Sequence, residues 1–200
     1  MVIPYFLSGQ YTLVQDESEF KRKTREITEN SLTMTSDFIQ EKHLSFMSEP
    51  IITKGKFRYK KPNRVRWEYT EPFSYILIIN EDQLLIDDEG HQNKIDLGNN
   101  DMFKQINKIV SNALMGKVMD DSEQFAHTLE ASETEFKINL VPIDKSLEKY
   151  IKTIEVYFDK KTLIVSSVML EESSEDYTKI KFINKVLNAP IEDQEFELNN

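Results

Sequence analysis

Apolar and charged side chains alternate with a period of two through Gly55–Pro72. Phe57 and Tyr59 are interleaved with Lys56, Arg58 and Lys60, and Val65, Trp67 and Tyr69 with Arg64, Arg66 and Glu68. Successive side chains of a strand point to opposite faces, so this pattern predicts two strands, each with a ring-bearing face and a charged face. Lys61-Pro62-Asn63 lies between them. Proline has no amide hydrogen to give a ladder and asparagine tolerates turn dihedrals, so the break predicts a hairpin turn; Pro72 ends the second strand in the same way. Such a hairpin must set its aromatic face against something apolar.

The same reading extends in both directions. Asp16-Glu17-Ser18-Glu19 has the form of a capping box, and Phe20, Thr24 and Ile27 follow at helical spacing, predicting a helix to about Asn30. Its apolar stripe is thin and its other positions are charged or polar, so it should lie on a surface rather than cross a core. Leu32 to Leu44 is extended, with Met34 and Phe38, and Ile51 to Tyr59 follows Pro50. Beyond the hairpin, Tyr75–Ile79, Leu84–Ile86 and His91–Leu97 are short strands separated by turn residues. Strands at this spacing predict an antiparallel sheet that curls or closes, not a βαβ fold.

The strand pattern then gives way to a helical one. Met102, Phe103, Ile106, Ile109, Val110, Ala113, Leu114 and Met115 recur at spacings of three and four between Asn99-Asn100-Asp101 and Gly116. This is the broadest apolar stripe in the chain, and it predicts a helix packed on the sheet or over the mouth of a cavity. Strands resume at Phe125–Ala131 and Phe136–Leu140, and again at Tyr150–Asp159, Leu163–Glu171 and Tyr177–Val186. The last three alternate less strictly, as expected where helices cover part of a sheet. Residues 1–15 and the acidic stretch 193–200 are expected to be flexible ends of a single domain spanning 1–200.

Composition narrows the partners. Two hundred residues, 39% of them hydrophobic, suit one domain with a core or an enclosed cavity. A net charge of -10 argues against nucleic acid, whose phosphates require a basic surface; it suits free solubility, or steering toward a basic protein. Cysteine is absent, which removes disulfides, thiol ligands and thiol nucleophiles, and as written the chain carries no amino-terminal cysteine for a lipid anchor. Met1–Leu7 is too short for a signal core and is interrupted by Pro4, so it is read as an artificial start or the remnant of a removed signal. No apolar run reaches the length of a membrane span, so no stable insertion is expected.

Candidate chemistry is sparse. The five glycines form neither a nucleophile elbow nor a phosphate loop. His43, His91 and His127 stand apart and are expected at the surface, and Asp87-Asp88-Glu89 before Gly90 is expected to be a hairpin tip. No enzyme activity, cofactor or metal is expected. What remains is the aromatic face of Phe57, Tyr59, Val65, Trp67 and Tyr69, and the pattern alone leaves open whether it fills a core or lines a pocket.

Gly55-x-Phe57-x-Tyr59-x-x-Pro62-x-x-x-x-Trp67-x-x-x-x-Pro72, preceded by a strand bearing Phe38 and Gln40, resembles the periplasmic outer-membrane lipoprotein carrier family, the LolA-like proteins. The resemblance is sharpest from Phe38 to about Asp88. It implies a mainly β (α+β) fold, in which a single curved antiparallel sheet forms an incompletely closed barrel, capped by a few helices, with an apolar cavity for acyl chains. Under it, Phe38, Phe57, Tyr59, Val65, Trp67, Tyr69 and Ile78 line the cavity, with Phe103, Ile106, Val110 and Leu114 on a helix that serves as the lid. Lys61, where the best-known cargo-releasing members have arginine, is the gate candidate.

The implied function is a monomeric periplasmic chaperone that takes acylated lipoproteins from an inner-membrane transporter to an outer-membrane acceptor. Each buried methylene gains about 0.8 kcal/mol, so one chain of roughly sixteen carbons gains on the order of 10 kcal/mol, and a carrier needs an expandable pocket under a movable cover. The alternatives are a carrier of the same fold for another lipid or glycolipid, and a module whose sheet face binds a protein.

Overall fold

The computed structural model describes residues 10–96, 112, 119 and 124–198. Within them, β1 (Thr12–Leu13) and helix α1 (Ser18–Glu29) precede a meander of β2 (Thr33–His43), β3 (Ile51–Lys60), β4 (Arg64–Glu71), β5 (Tyr75–Asn80), β6 (Gln83–Asp88) and β7 (His91–Asp96). A second meander comprises β8 (Phe125–Ala131), β9 (Glu135–Pro142), the short helix α2 (Lys145–Glu148), β10 (Ile151–Asp159), β11 (Val165–Glu172) and β12 (Tyr177–Leu187). All the described strands join one antiparallel sheet, in the order β1-β8-β9-β10-β11-β12-β2-β3-β4-β5-β6-β7. Short turns make sequence neighbours into sheet neighbours, and the β12–β2 pairing joins the two meanders. β1 and β7 do not pair with each other, so the sheet is open.

Register sorts the side chains into two faces. Phe57 pairs with Trp67, Tyr59 with Val65, Trp67 with Leu77 and Val65 with Ile79, which puts all of them on one face, here the inner face. Phe38 and Phe182, directly opposite each other on β2 and β12, lie on the same side. One apolar cluster runs along this face from Leu129 on β8 to Leu84 on β6 and includes Phe20 of α1. The other face, the back, carries Arg58, Arg66, Ile76, Ile78 and Leu85.

Four differences from the sequence reading have physical causes. Ile78, expected in the cavity, lies on the back, because β5 alternates and its inner-facing residues are Leu77 and Ile79. The uninterrupted run Tyr75–Ile79 carries no alternation from which that phase could be read. Residues 193–198, expected to fray, include a 3-10 turn, Asp193–Phe196, and Phe196 is fully buried with Ile78 and Ile191. Thr12–Leu13, within the expected flexible start, pairs with Glu130 and Ala131. The weak alternation of β12 has a bulge as one cause: the register shifts between Ile183 and Val186, Asn184 takes φ 54°, and its side chain donates to Asp37 at 2.8 Å. Phe103, Ile106, Val110 and Leu114, with the rest of the lid helix predicted there, lie outside the described residues.

Candidate functional site

The inner face of β2, β3 and β4 is a floor of rings. Phe57 lies 4.6 Å from Trp67 between centroids, and Phe38 lies 5.0 Å from both Trp67 and Tyr69. Phe182, which the sequence reading missed, closes the group at 5.5 Å from Phe57. Its signal was hidden by the bulge two residues later. Phe38, Phe57, Tyr59 and Val65 are buried, while Trp67 and Tyr69 stay half-buried. The structure thus brings every predicted floor residue except Ile78 onto one face, and it links the rings of Phe57, Trp67, Phe38 and Tyr69 in a chain of contacts.

Polar atoms on this floor are few. The Tyr69 hydroxyl donates to Gln40 Oε1 at 3.1 Å, and the Tyr59 hydroxyl approaches the Pro62 carbonyl at 3.4 Å. Burial pushes both hydroxyls up to about 12, so they stay neutral. The surface can bury hydrocarbon and offers an occasional hydroxyl. Among the described residues no cluster of His, Cys, Asp or Glu is arranged to hold a metal ion.

α1 lies on the same inner face, beside this floor over β9 and β10, and is held at both ends. Near its start, Phe20 is wedged against Phe136 at 4.9 Å and Phe158 at 5.3 Å. His127, expected at the surface, is partly buried on β8 and lies 3.1 Å from Glu17 at the helix start. Burial raises the Glu17 carboxyl, but hydrogen bonds from Lys21 and His127 outweigh it and hold the group below its ordinary value. Asp16 accepts from the Ser18 amide at 3.0 Å, while Glu19 pairs with Lys23 at 2.7 Å. The predicted capping box does not form: the N-cap is Glu17, which makes no side-chain cap bond, and Asp16 one residue earlier only meets the Ser18 amide.

At the other end, Lys61 Nζ donates to the carbonyl oxygens of Thr28 at 2.5 Å and Glu29 at 3.1 Å. The last turn of α1 has no basic residue of its own. The hairpin turn supplies the cation that the helix C-terminus favours. Asn188 adds a bond to the Asn30 carbonyl at 3.1 Å. Between this half of α1 and the sheet lies a cavity of about 30 Å³, bordered by Ile27, Met34, Tyr59, Phe158 and Val165. Ligand pockets usually measure about 300–1,000 Å³. An acyl chain could enter here only if α1 moved.

On the back face, Glu68 accepts from Arg58 at 2.9 Å and from Arg66 at 3.1 Å. Burial raises its carboxyl, yet the two guanidinium groups outweigh that and leave it below its ordinary 4.5. A depressed carboxyl stabilises the fold fully above 4.5, and that contribution is lost as pH falls through the folded value. Urea midpoints at about pH 6, 4.5 and 3 should therefore fall at the acid end, and Glu68→Gln should fall less than the parent over the lower part of that range. Equal losses in the two proteins would assign the acid sensitivity to other carboxylates.

Comparison with curated proteins found no match. Among solved structures, an uncharacterised conserved protein from Thermus thermophilus is 9% identical with a TM-score of 0.56, covering 92% of this chain and 95% of that one. A Pseudomonas aeruginosa MucA/MucB complex contains a chain 11% identical with a TM-score of 0.51; the match covers 92% of this chain and 61% of that one. A LolA superfamily protein from Nitrosomonas europaea is 9% identical with a TM-score of 0.48, covering 92% and 99%. At these identities the first two share the fold. A family profile described as outer membrane lipoprotein carrier protein LolA matches residues 29–199.

Proposed function

The chain belongs to the outer membrane lipoprotein carrier family LolA, and from that membership we propose that it is a periplasmic carrier that shelters acyl chains on its inner face. The observation that carries the proposal is the way α1 sits on that face. The helix meets it through few apolar side chains, with Phe20 and Thr24 its buried residues, and its C-terminal end is tethered by Lys61 and Asn188. A cover held this lightly beside a floor of rings can lift, open the inner face to an acyl chain, and close again. Cargo is bound, not altered. Acylated lipoproteins are the proposed cargo, with a membrane transporter as donor and an outer-membrane acceptor as recipient.

Trp67, the single tryptophan, reports on this directly. Titrating an acylated lipopeptide should shift and saturate its emission, because the indole is half-buried in the floor. Native mass spectrometry should show a one-to-one complex. Unchanged emission together with no bound lipid mass would falsify the carrier reading. A second reading, in which a sheet face binds a protein, is supported by the back of β3–β6, where a peptide segment is already seated.

A further inference from the structure

Lys56, Arg58, Lys60, Arg64 and Arg66 all project from the back of one hairpin, in a chain whose net charge is -10. The C-terminal segment, Ile191–Leu198, lies across them. Lys60 Nζ donates to the Ile191 carbonyl and to Asp193, both at 2.6 Å, and Arg64 reaches Asp193 at 2.7 Å. Arg58 pairs with Glu195 at 3.4 Å, and Arg66 donates to the Glu195 carbonyl at 3.1 Å. Phe196 is 0% exposed against Ile78, with Ile76 and Leu85 around it, and Asn80 donates to its carbonyl at 3.4 Å.

We infer that the back of β3–β6 is a peptide-docking groove for an acidic, phenylalanine-bearing segment of a protein partner, occupied in the free protein by the chain's own residues 191–198. The arrangement is that of a ligand in a site. One aromatic anchor fills an apolar pocket, flanking carboxylates meet a basic rim, and two of the basic side chains bind main-chain carbonyls of the segment. The carboxylates remain largely in water: the Asp193 side chain is 65% exposed and that of Glu195 is 45% exposed. Their ion pairs orient the segment more than they hold it, so most of the holding falls to Phe196 and Ile191.

The groove is built to accept more than it now holds. Arg64 Nε is buried without a hydrogen-bond partner among the described residues. Beside the start of the segment, an open groove of about 560 Å³ runs between Leu32, Lys60, Lys61, Pro190 and Ile191. An incoming acidic peptide has room to engage the hairpin before the anchor leaves. The Phe196 pocket lies on the back face, opposite the ring floor, so peptide binding can be read with no acyl ligand present.

The experiment uses a labelled synthetic peptide of residues 191–200 and two proteins, the full chain and a chain ending at Pro190. The full chain should bind the peptide at least about 10-fold more weakly than the truncated one, because its own segment competes at a high effective concentration. A Phe196→Ala peptide should bind the truncated chain about 30-fold more weakly, and added salt should weaken binding by a smaller factor. If the truncated chain loses its β-sheet spectrum, full-length Phe196→Ala takes its place and should bind the unaltered peptide more tightly than the parent does. A folded truncated chain that ignores the peptide overturns the proposal. So does equal binding by all the proteins tested, or a full chain that dimerises by exchanging this segment while its monomer binds no peptide.

Discussion

Gly55→Ala should cost more than about 3 kcal/mol, a large share of the roughly 5–15 kcal/mol by which a domain is stable, and should leave little folded protein. Gly55 sits on β3 directly opposite Phe38. A Cβ there would lie 2.1 Å from the Glu68 carbonyl oxygen and 2.7 Å from two carbons of the Phe38 ring. The oxygen belongs to the backbone of β4, which the sheet ladder holds in place. The ring could turn only by leaving Trp67 and Tyr69, both 5.0 Å away. Gly90 is the control. Its φ of 91° favours glycine, but nothing lies within 4 Å of a Cβ built there, so Gly90→Ala should cost about 1 kcal/mol. Urea unfolding of the two variants measures the difference. Equal midpoints would mean that the glycine serves the backbone of β3 and not the ring above it.

That contact explains why the hairpin was legible in the sequence. Glycine, aromatic rings and prolines at fixed offsets each follow from a local requirement: a ring over a strand, alternation between faces, a turn without an amide hydrogen. The hairpin pairing of successive strands was legible because short turns leave neighbours in sequence as neighbours in the sheet, whereas the β12–β2 and β1–β8 pairings join distant strands and were not. Ile78 was misplaced because a run apolar on both faces of β5 carries no phase. The C-terminal segment was misjudged because its acidic residues indicate fraying until they are seen against Arg58, Lys60, Arg64 and Arg66, which lie far earlier in the chain. Lys61 was picked out by its place beside Pro62, but the helix it holds is α1, and a sequence pattern names no partner at that distance.

Phe20→Ala and Lys61→Met should both free α1, by different amounts and from opposite ends. Phe20 is 6% exposed and anchors the helix start between Phe136 and Phe158. Removing a buried phenylalanine usually costs about 3–5 kcal/mol. A twelve-residue helix is marginal by itself in water. The loss should therefore appear as undocking of α1 while the sheet persists, with hydrogen exchange speeding up along residues 18–29 and an apolar dye binding the bared face. Lys61→Met removes two charge-assisted bonds to carbonyls at the other end, worth about 1.5–3 kcal/mol, or roughly 10- to 100-fold in the lifted population. Its acceleration should be confined to residues 24–29, because Phe20 and the Glu17–His127 contact still hold the start. Acyl uptake should rise in the lysine variant, where the cover lifts and recloses, and retention should fail in the phenylalanine variant, where it does not. If both variants speed exchange uniformly along the helix, α1 leaves as a rigid whole and Lys61 is not a separable latch.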